Sequence, residues 1–382
     1  MDQSLLVMIP GPTPVARPVQ DEMGREIQAF GDPRFVADYK SVIADLASLF
    51  NCGGKTFAIA GTGTLAMEMA IANSTRAGDS VLVVSNGFFG DRFADICARK
   101  GLYADVLNAR WGECVSVAAV KQKLLEKHYA AITVTHVDTS TGVRAPIAEI
   151  GALTLDCPDT IYIVDGVAAT GGEFTDFDGM HIDILFTGSQ KAFGVCPGML
   201  MAWASKKAIA RRRALGTIPE YYIDFEKWLP VMEDPAKYFA TPAINLVWAL
   251  KKSLEIIKEE GVTARFSRHE ANARALQAAF ESLGLVVLAK PVCRAVTLSC
   301  LVYPDGVDDG AFRKAMMREG VIVAGALGAY AGKAFRVGHM GNITRNDMVV
   351  LLGAIERALI SCGAPVKPGG GIGAYCAALS QA

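Results

Sequence analysis

The chain has 382 residues, 51% of them hydrophobic, enough for two or three domains or one large α/β domain with a smaller appendage around a sizeable core. Its 38 basic and 39 acidic residues leave a formal charge of -1, and no block of like charge occurs beyond Arg211-Arg212-Arg213. That balance excludes the electrostatic footprint of a nucleic-acid or acidic-membrane binder and points to a small molecule or a second copy of the chain as partner.

Residues 1–6 carry an acid and no basic start, and every apolar stretch is broken by glycine or proline well before about 18 residues, so neither a signal peptide nor a membrane span is expected. The nine cysteines are odd in number, scattered and without a CxxC pair, which reads as reduced thiols in a cytoplasmic protein. Residues 1–20 form an N-terminal arm, 21–260 a large domain and 261–382 a small C-terminal domain.

Between residues 55 and 205, short β-branched runs (57–60, 80–85, 130–135, 161–165, 182–187 and 199–202) alternate with amphipathic stretches (64–74, 88–100, 117–128 and 147–155). This βα alternation predicts an α/β fold with a mainly parallel sheet covered on both faces. Residues 206–240 are basic and then rich in aromatics, with no clean period, and predict a long connecting or interface segment. Pro242 opens a helix that stops at Gly261, and a second helix runs from 262 to Gly284. Strands at 285–289, 295–303 and 334–337, with helices at 308–318 and 345–362, make a small α+β domain, and the glycine-rich 365–382 predicts a loosely ordered tail.

The chemistry concentrates where strands end. The run 182–187 leads into Gly188-Ser189-Gln190-Lys191, placing one amine after a strand too apolar for the surface, and Lys191 reads as a Schiff-base lysine. Upstream, the strand 161–165 ends in Asp165. A lysine aldimine and a carboxylate that keeps a pyridine nitrogen protonated are what pyridoxal 5'-phosphate asks of a protein. Gly61-Thr62-Gly63-Thr64 opens a helix, where glycine, hydroxyls and the helix N-terminus suit a phosphate, although a structural turn with Thr64 as N-cap fits equally. Phe89, in Ser85-Asn86-Gly87-Phe88-Phe89-Gly90, fits a ring-stacking residue or a core aromatic, and Thr139 lies in a hydroxyl-rich turn after the strand 130–135. Ligands in open α/β sheets bind outside the carboxyl ends of the strands, so the joint pattern counts for more than any one turn. Arg336, inside an apolar strand of the small domain, is the candidate for a substrate carboxylate, with an edge-strand salt bridge as the competing reading. No metal-ligand spacing surrounds His136 or His339.

These motifs, in this order from Pro10-Gly11-Pro12 to Arg336, resemble the class V aminotransferases of fold type I, and within them the alanine-glyoxylate and serine-pyruvate group. The resemblance implies a mainly parallel seven-stranded sheet and a transaminase that moves an amino group from alanine or serine to glyoxylate or pyruvate by a ping-pong route. It implies that Lys191 carries the cofactor, Asp165 holds its ring nitrogen, Val167 packs beneath the ring, Phe89 stacks on it and Thr139 lies near its substituents. Thr62, Gly63, Thr64 and Gln190 would hold the phosphate, with Tyr238 and Thr241 reaching it from the other subunit of a homodimer, while Gly11 and Arg336 would meet the substrate. The ring-stacking tryptophan of well-known members is Phe89 here, and the histidine that some carry beside the phosphate is Thr64. Transaminases of 2-aminoethylphosphonate or ureidoglycine, and lyases or cysteine desulfurases using Cys293 or Cys300, are the competing activities on the same fold.

Overall fold

The six β-branched runs and one further strand assemble into a seven-stranded sheet in the computed structural model, which describes residues 5–380. They are β1 (Lys55–Ala60), β2 (Ser80–Ser85), β3 (Tyr103–Asn108), β4 (Ala131–Thr135), β5 (Ile161–Asp165), β6 (Ile184–Gly188) and β7 (Met199–Ala204). Their order across the sheet is β1-β7-β6-β5-β4-β2-β3. All neighbouring pairs are parallel except those made by β7, which is antiparallel to both β1 and β6. Every residue of β4 to β7 is buried, which is why these strands read as continuous apolar runs without alternation. The edge strand β3 is half exposed along its length and carries no such run, so its sequence does not announce it.

The sheet is covered by α1 (Arg17–Met23), α2 (Pro33–Leu49), α3 (Gly63–Ala72), α4 (Phe88–Arg99), α5 (Val117–Glu126), α6 (Ile147–Thr154), α7 (Lys206–Ala214), α8 (Phe225–Glu233) and α9 (Ile244–Glu260). Apolar side chains from Val19 to Ile257 form the cluster that joins them to it. The segment 206–240, expected to be a long connecting or interface segment, contains α7 and α8. Three arginines near its end erase the apolar stripe of α7, and Pro230 interrupts α8. Capping makes up for it: Ser205 Oγ accepts from Ala208 N, and Asp224 accepts from Glu226 N. The buried carboxylate of Asp224 also receives two bonds from Arg212, at 2.8 and 2.6 Å, and so pins α8 to α7.

A second apolar cluster joins Met8 to side chains between Ala275 and Tyr375. Its sheet contains β8 (Val286–Val287), β9 (Leu298–Val302), β10 (Ala324–Gly325) and β11 (Ala334–Gly338) in the order β8-β9-β11-β10, all antiparallel. Helices α10 (Val262–Ser282), α11 (Asp309–Arg318), α12 (Arg345–Ser361) and α13 (Gly370–Leu379) pack with it. The tail is therefore not loose. Glu356, buried on α12, accepts from the backbone N–H groups of Gly369 and Gly371 at 2.8 Å each, and Tyr375 fills the core, which together seat α13 against α10 and α12. No helix among the described residues is long and apolar enough to cross a membrane.

Candidate active site

The carboxyl ends of β4, β5 and β6 and the N-termini of α3 and α4 surround one cavity. Thr62, Gly63, Thr64, Phe89, Thr139, Asp165, Val167, Gln190 and Lys191 all line it. Thr62, not Thr64, caps α3: its Oγ1 accepts from Leu65 N at 3.3 Å. That leaves the Thr64 hydroxyl facing the cavity, where it accepts from Arg92 Nη1 at 2.9 Å. Gly63 packs so tightly on Val167 that a Cβ there would lie 2.7 Å from Val167 Cγ2.

Phe89 is positioned by a neighbouring strand. Asp138, buried just after β4, accepts from the backbone N–H groups of Phe89 and Gly90 at 2.9 and 3.0 Å and from Ser140 Oγ at 2.6 Å. Ser140 Oγ in turn accepts from Phe88 N. The first turn of α4 is thus capped in trans by the hydroxyl-rich turn, and Gly87 permits it, because a Cβ there would sit 2.5 Å from Ser140 Oγ.

Asp165 is buried and Lys191 partly buried in this cavity, and the two form no direct ion pair. Burial, assisted by the nearby charge of Arg336 and opposed by that of Asp165, pulls the Lys191 ammonium down to about 8. Burial pushes the Asp165 carboxyl up to about 7, against a bond its Oδ1 accepts from Val167 N at 2.9 Å. The Lys191 amine donates to Pro10 O. A Cβ on Gly11, whose φ is +122°, would lie 2.5 Å from Lys191 Cδ, so the arm closes directly over the lysine stem and needs glycine there. Thr13 fastens it by donating from Oγ1 to Lys191 O at 2.7 Å and from its backbone N–H to Gln190 O at 3.0 Å.

Arg336 does not line this cavity, but its neighbour does: Nη1 donates to Thr139 O at 3.2 Å, while Nε donates to Gly325 O at 2.8 Å. It lies on an inner strand, between β9 and β10, and no carboxylate pairs with it among the described residues, so the edge-strand salt bridge is absent. Tyr238 and Thr241 sit outside the cavity on an exposed segment, their hydroxyls 3.4 Å apart.

Five lining residues are not among the site residues expected from the sequence: Met67, Arg92, Thr135, Val137 and Ala168. Arg92 carried a usable signal, since it follows Phe89 by three positions on one helix face. The hydroxyl of Thr135, which pairs with Asp165 across β4 and β5, is buried without a partner. His136 and His339 are buried and neutral, burial pulling them down to about 3 and about 4. No group of three or more potential metal ligands occurs among the described residues.

A partly buried lysine and a buried aspartate at the carboxyl edge of this sheet, with a hydroxyl-rich helix N-terminus beside them, define the fold type I class of pyridoxal phosphate-dependent transferases. The aminotransferase class-V family matches residues 26–339. An uncharacterised aminotransferase of Methanocaldococcus jannaschii is 37% identical over 96% of this chain and 95% of its own. The serine-glyoxylate aminotransferase of Hyphomicrobium methylovorum is 31% identical over 96% and 93%. The crystal structure of alanine-glyoxylate aminotransferase from Nostoc sp. superposes with a TM-score of 0.90 at 32% identity, covering 93% of this chain and 95% of that one. The chain belongs to the class-V aminotransferases.

The Asp165 shift makes a stability statement. A carboxyl whose folded value is raised from 3.8 to about 7 stabilises the fold below about pH 4 and loses that contribution as pH rises through 7. With cofactor absent from both proteins, Asp165→Asn is expected to melt above the unaltered chain at pH 8, with the gap closing towards pH 4. Calorimetry at the two pH values checks it.

Proposed function

We propose that this aminotransferase uses pyridoxal 5'-phosphate to move an amino group from alanine or serine to glyoxylate or pyruvate. The observation that carries this reading is the meeting in one cavity of a burial-activated amine and a buried carboxylate, near an arginine that has no carboxylate partner among the described residues. The residues fit the cofactor, including the orphaned hydroxyl of Thr135, a buried polar atom in want of a partner. Bound pyridoxal phosphate supplies an electrophilic carbonyl and an electron-accepting ring.

The chain's own groups do the rest. With its ammonium at about 8, about one Lys191 amine in ten is uncharged at pH 7, against roughly one in 3,000 for an ordinary lysine. That amine would anchor the cofactor and, when free, would take a proton from the substrate Cα and return it as general base and acid. The Asp165 carboxylate would keep the ring nitrogen protonated. Phe89 and Val167 would pack on the ring, Thr139 would lie near its substituents, and Thr62, Gly63, Thr64 and Gln190 would receive the phosphate. Arg336 would pair with the substrate carboxylate through the N–H groups it does not give to Gly325 O and Thr139 O. The oxo product leaves before the second substrate enters.

The cysteine chemistry of a desulfurase is disfavoured. Cys293 and Cys300 are both buried, and burial pushes their thiols up to about 11 and about 12, so neither offers a thiolate at neutral pH. Adding amino acids singly to the cofactor-loaded protein is expected to bleach the cofactor's visible band with alanine or serine, releasing the matching 2-oxo acid in equal amount, and glyoxylate should restore it. Release of ammonia or sulfide with the band intact would overturn the reading.

We further propose a cytoplasmic homodimer in which Tyr238 and Thr241 reach the partner's phosphate site. Their exposure outside their own cavity, beside the aromatic contact of Tyr238 with Phe30 at 5.2 Å, supports it. Mixing inactive Lys191→Ala chains with inactive Tyr238→Ala/Thr241→Ala chains should then restore up to about a quarter of the unaltered activity, because half of the dimers are mixed and each holds one intact site. A mixture that stays inactive contradicts shared sites.

A further inference from the structure

We propose that Arg92 supplies the positive charge that holds the cofactor's phosphate, an inference that rests on the cavity being a pyridoxal phosphate site. A phosphate monoester carries close to two negative charges at neutral pH. Drawing it out of water calls for a cation or several strong donors. The residues assigned to it so far, Thr62, Gly63, Thr64 and Gln190 with the partner's Tyr238 and the partner's Thr241, are all neutral. One of them is already committed, since the Thr62 hydroxyl caps its own helix. The N-terminus of α3 adds about half a charge, which leaves most of the phosphate charge unmatched.

Two cations line the cavity among the described residues, Lys191 and Arg92. The Lys191 amine is reserved for the cofactor's carbonyl. Arg92 remains, and its geometry places it at the phosphate end. Its Nη1 donates to Thr64 Oγ1 at 2.9 Å, which sets the guanidinium beside the first turn of α3 and turns the hydroxyl's own proton outward to donate. Its Cζ lies 4.8 Å from the ring centroid of Phe89 and 5.6 Å from that of Phe88, so two aromatic rings fix the group where it stands.

Arg92 forms no ion pair among the described residues, Asp91 beside it accepts from Ser85 Oγ, and Asp165, in the same cavity, accepts from Val167 N. A guanidinium has five N–H donors, and only the bond to Thr64 uses one here. A half-buried arginine clamped by aromatics, short of acceptors and open to a cavity is arranged to meet an anion.

Pyridoxal and pyridoxal phosphate share ring and carbonyl and differ only in the phosphate, so their affinities separate a phosphate contact from support of the ring. Both are titrated by absorbance against the cofactor-stripped full chain, unaltered and as Arg92→Met and Arg92→Lys. Arg92→Met is expected to weaken pyridoxal phosphate binding about ten- to a hundredfold, the effect of losing a hydrogen bond to a charged group, with pyridoxal affinity held within about twofold. Arg92→Lys should recover part of the loss and serves alone if the methionine variant does not fold. Equal weakening of both compounds would assign Arg92 to holding Phe89 instead. Unchanged cofactor affinity with a raised KM for the 2-oxo acid would assign it to the substrate carboxylate. Either result overturns the proposal. An unaltered chain that binds neither compound defeats the cofactor reading itself, a failure separate from that of Arg92.

Discussion

Taking an ammonium and a carboxylate out of water at one edge of the sheet, and keeping them from pairing, is the constraint around which the rest of this structure is arranged. Desolvation moves the two groups towards each other on the pH scale, Lys191 down to about 8 and Asp165 up to about 7. Had they formed a close ion pair, each would be locked in its charged form and neither would be available to a ligand. Separated, the amine retains a useful uncharged fraction near neutral pH and the carboxylate keeps an unsatisfied demand for a cationic partner. The same burial makes the empty fold less stable than it could be, the usual consequence of poising charged groups for function.

Maintaining that separation requires a rigid frame. The lysine follows β6, and its loop is held from several sides: Thr13 binds Lys191 O and Gln190 O, while Arg265 on α10 donates to Ala192 O at 2.6 Å. His269, one turn further along α10, accepts from Gly341 N at 3.0 Å, which ties the segment after β11 to the same helix. The N-terminal arm links both sheets, since Leu6–Val7 pairs with Val321–Ile322 and Gly338 N donates to Met8 O, before Pro10 and Gly11 pass over the lysine. The reactive amine therefore senses the N-terminal arm and both sheets at once.

Much of this was legible in the chain itself because parallel strands buried on both faces leave continuous apolar runs, and the polar residues that end those runs must share one sheet edge. Lys191, Asp165, Thr139, Phe89 and the Thr62 to Thr64 turn converge for that reason. Arg92 and Thr135 stayed hidden, one inside an ordinary amphipathic helix and the other within an apolar strand, because neither interrupts a pattern. Helices α7 and α8 and the tail helix α13 were missed on different grounds. Their stability comes from caps and from distant partners, Asp224 with Arg212 and Glu356 with Gly369 and Gly371, which no local periodicity reports.

The central claim, that burial poises Lys191 beside Asp165 as the group that receives the cofactor, is tested most directly by trapping. The full-length protein is incubated with pyridoxal phosphate at pH 7.5, reduced with borohydride and mapped by peptide mass spectrometry. A single stoichiometric adduct on Lys191 is expected. An adduct spread over surface lysines, or a Lys191 peptide left unmodified, would contradict it.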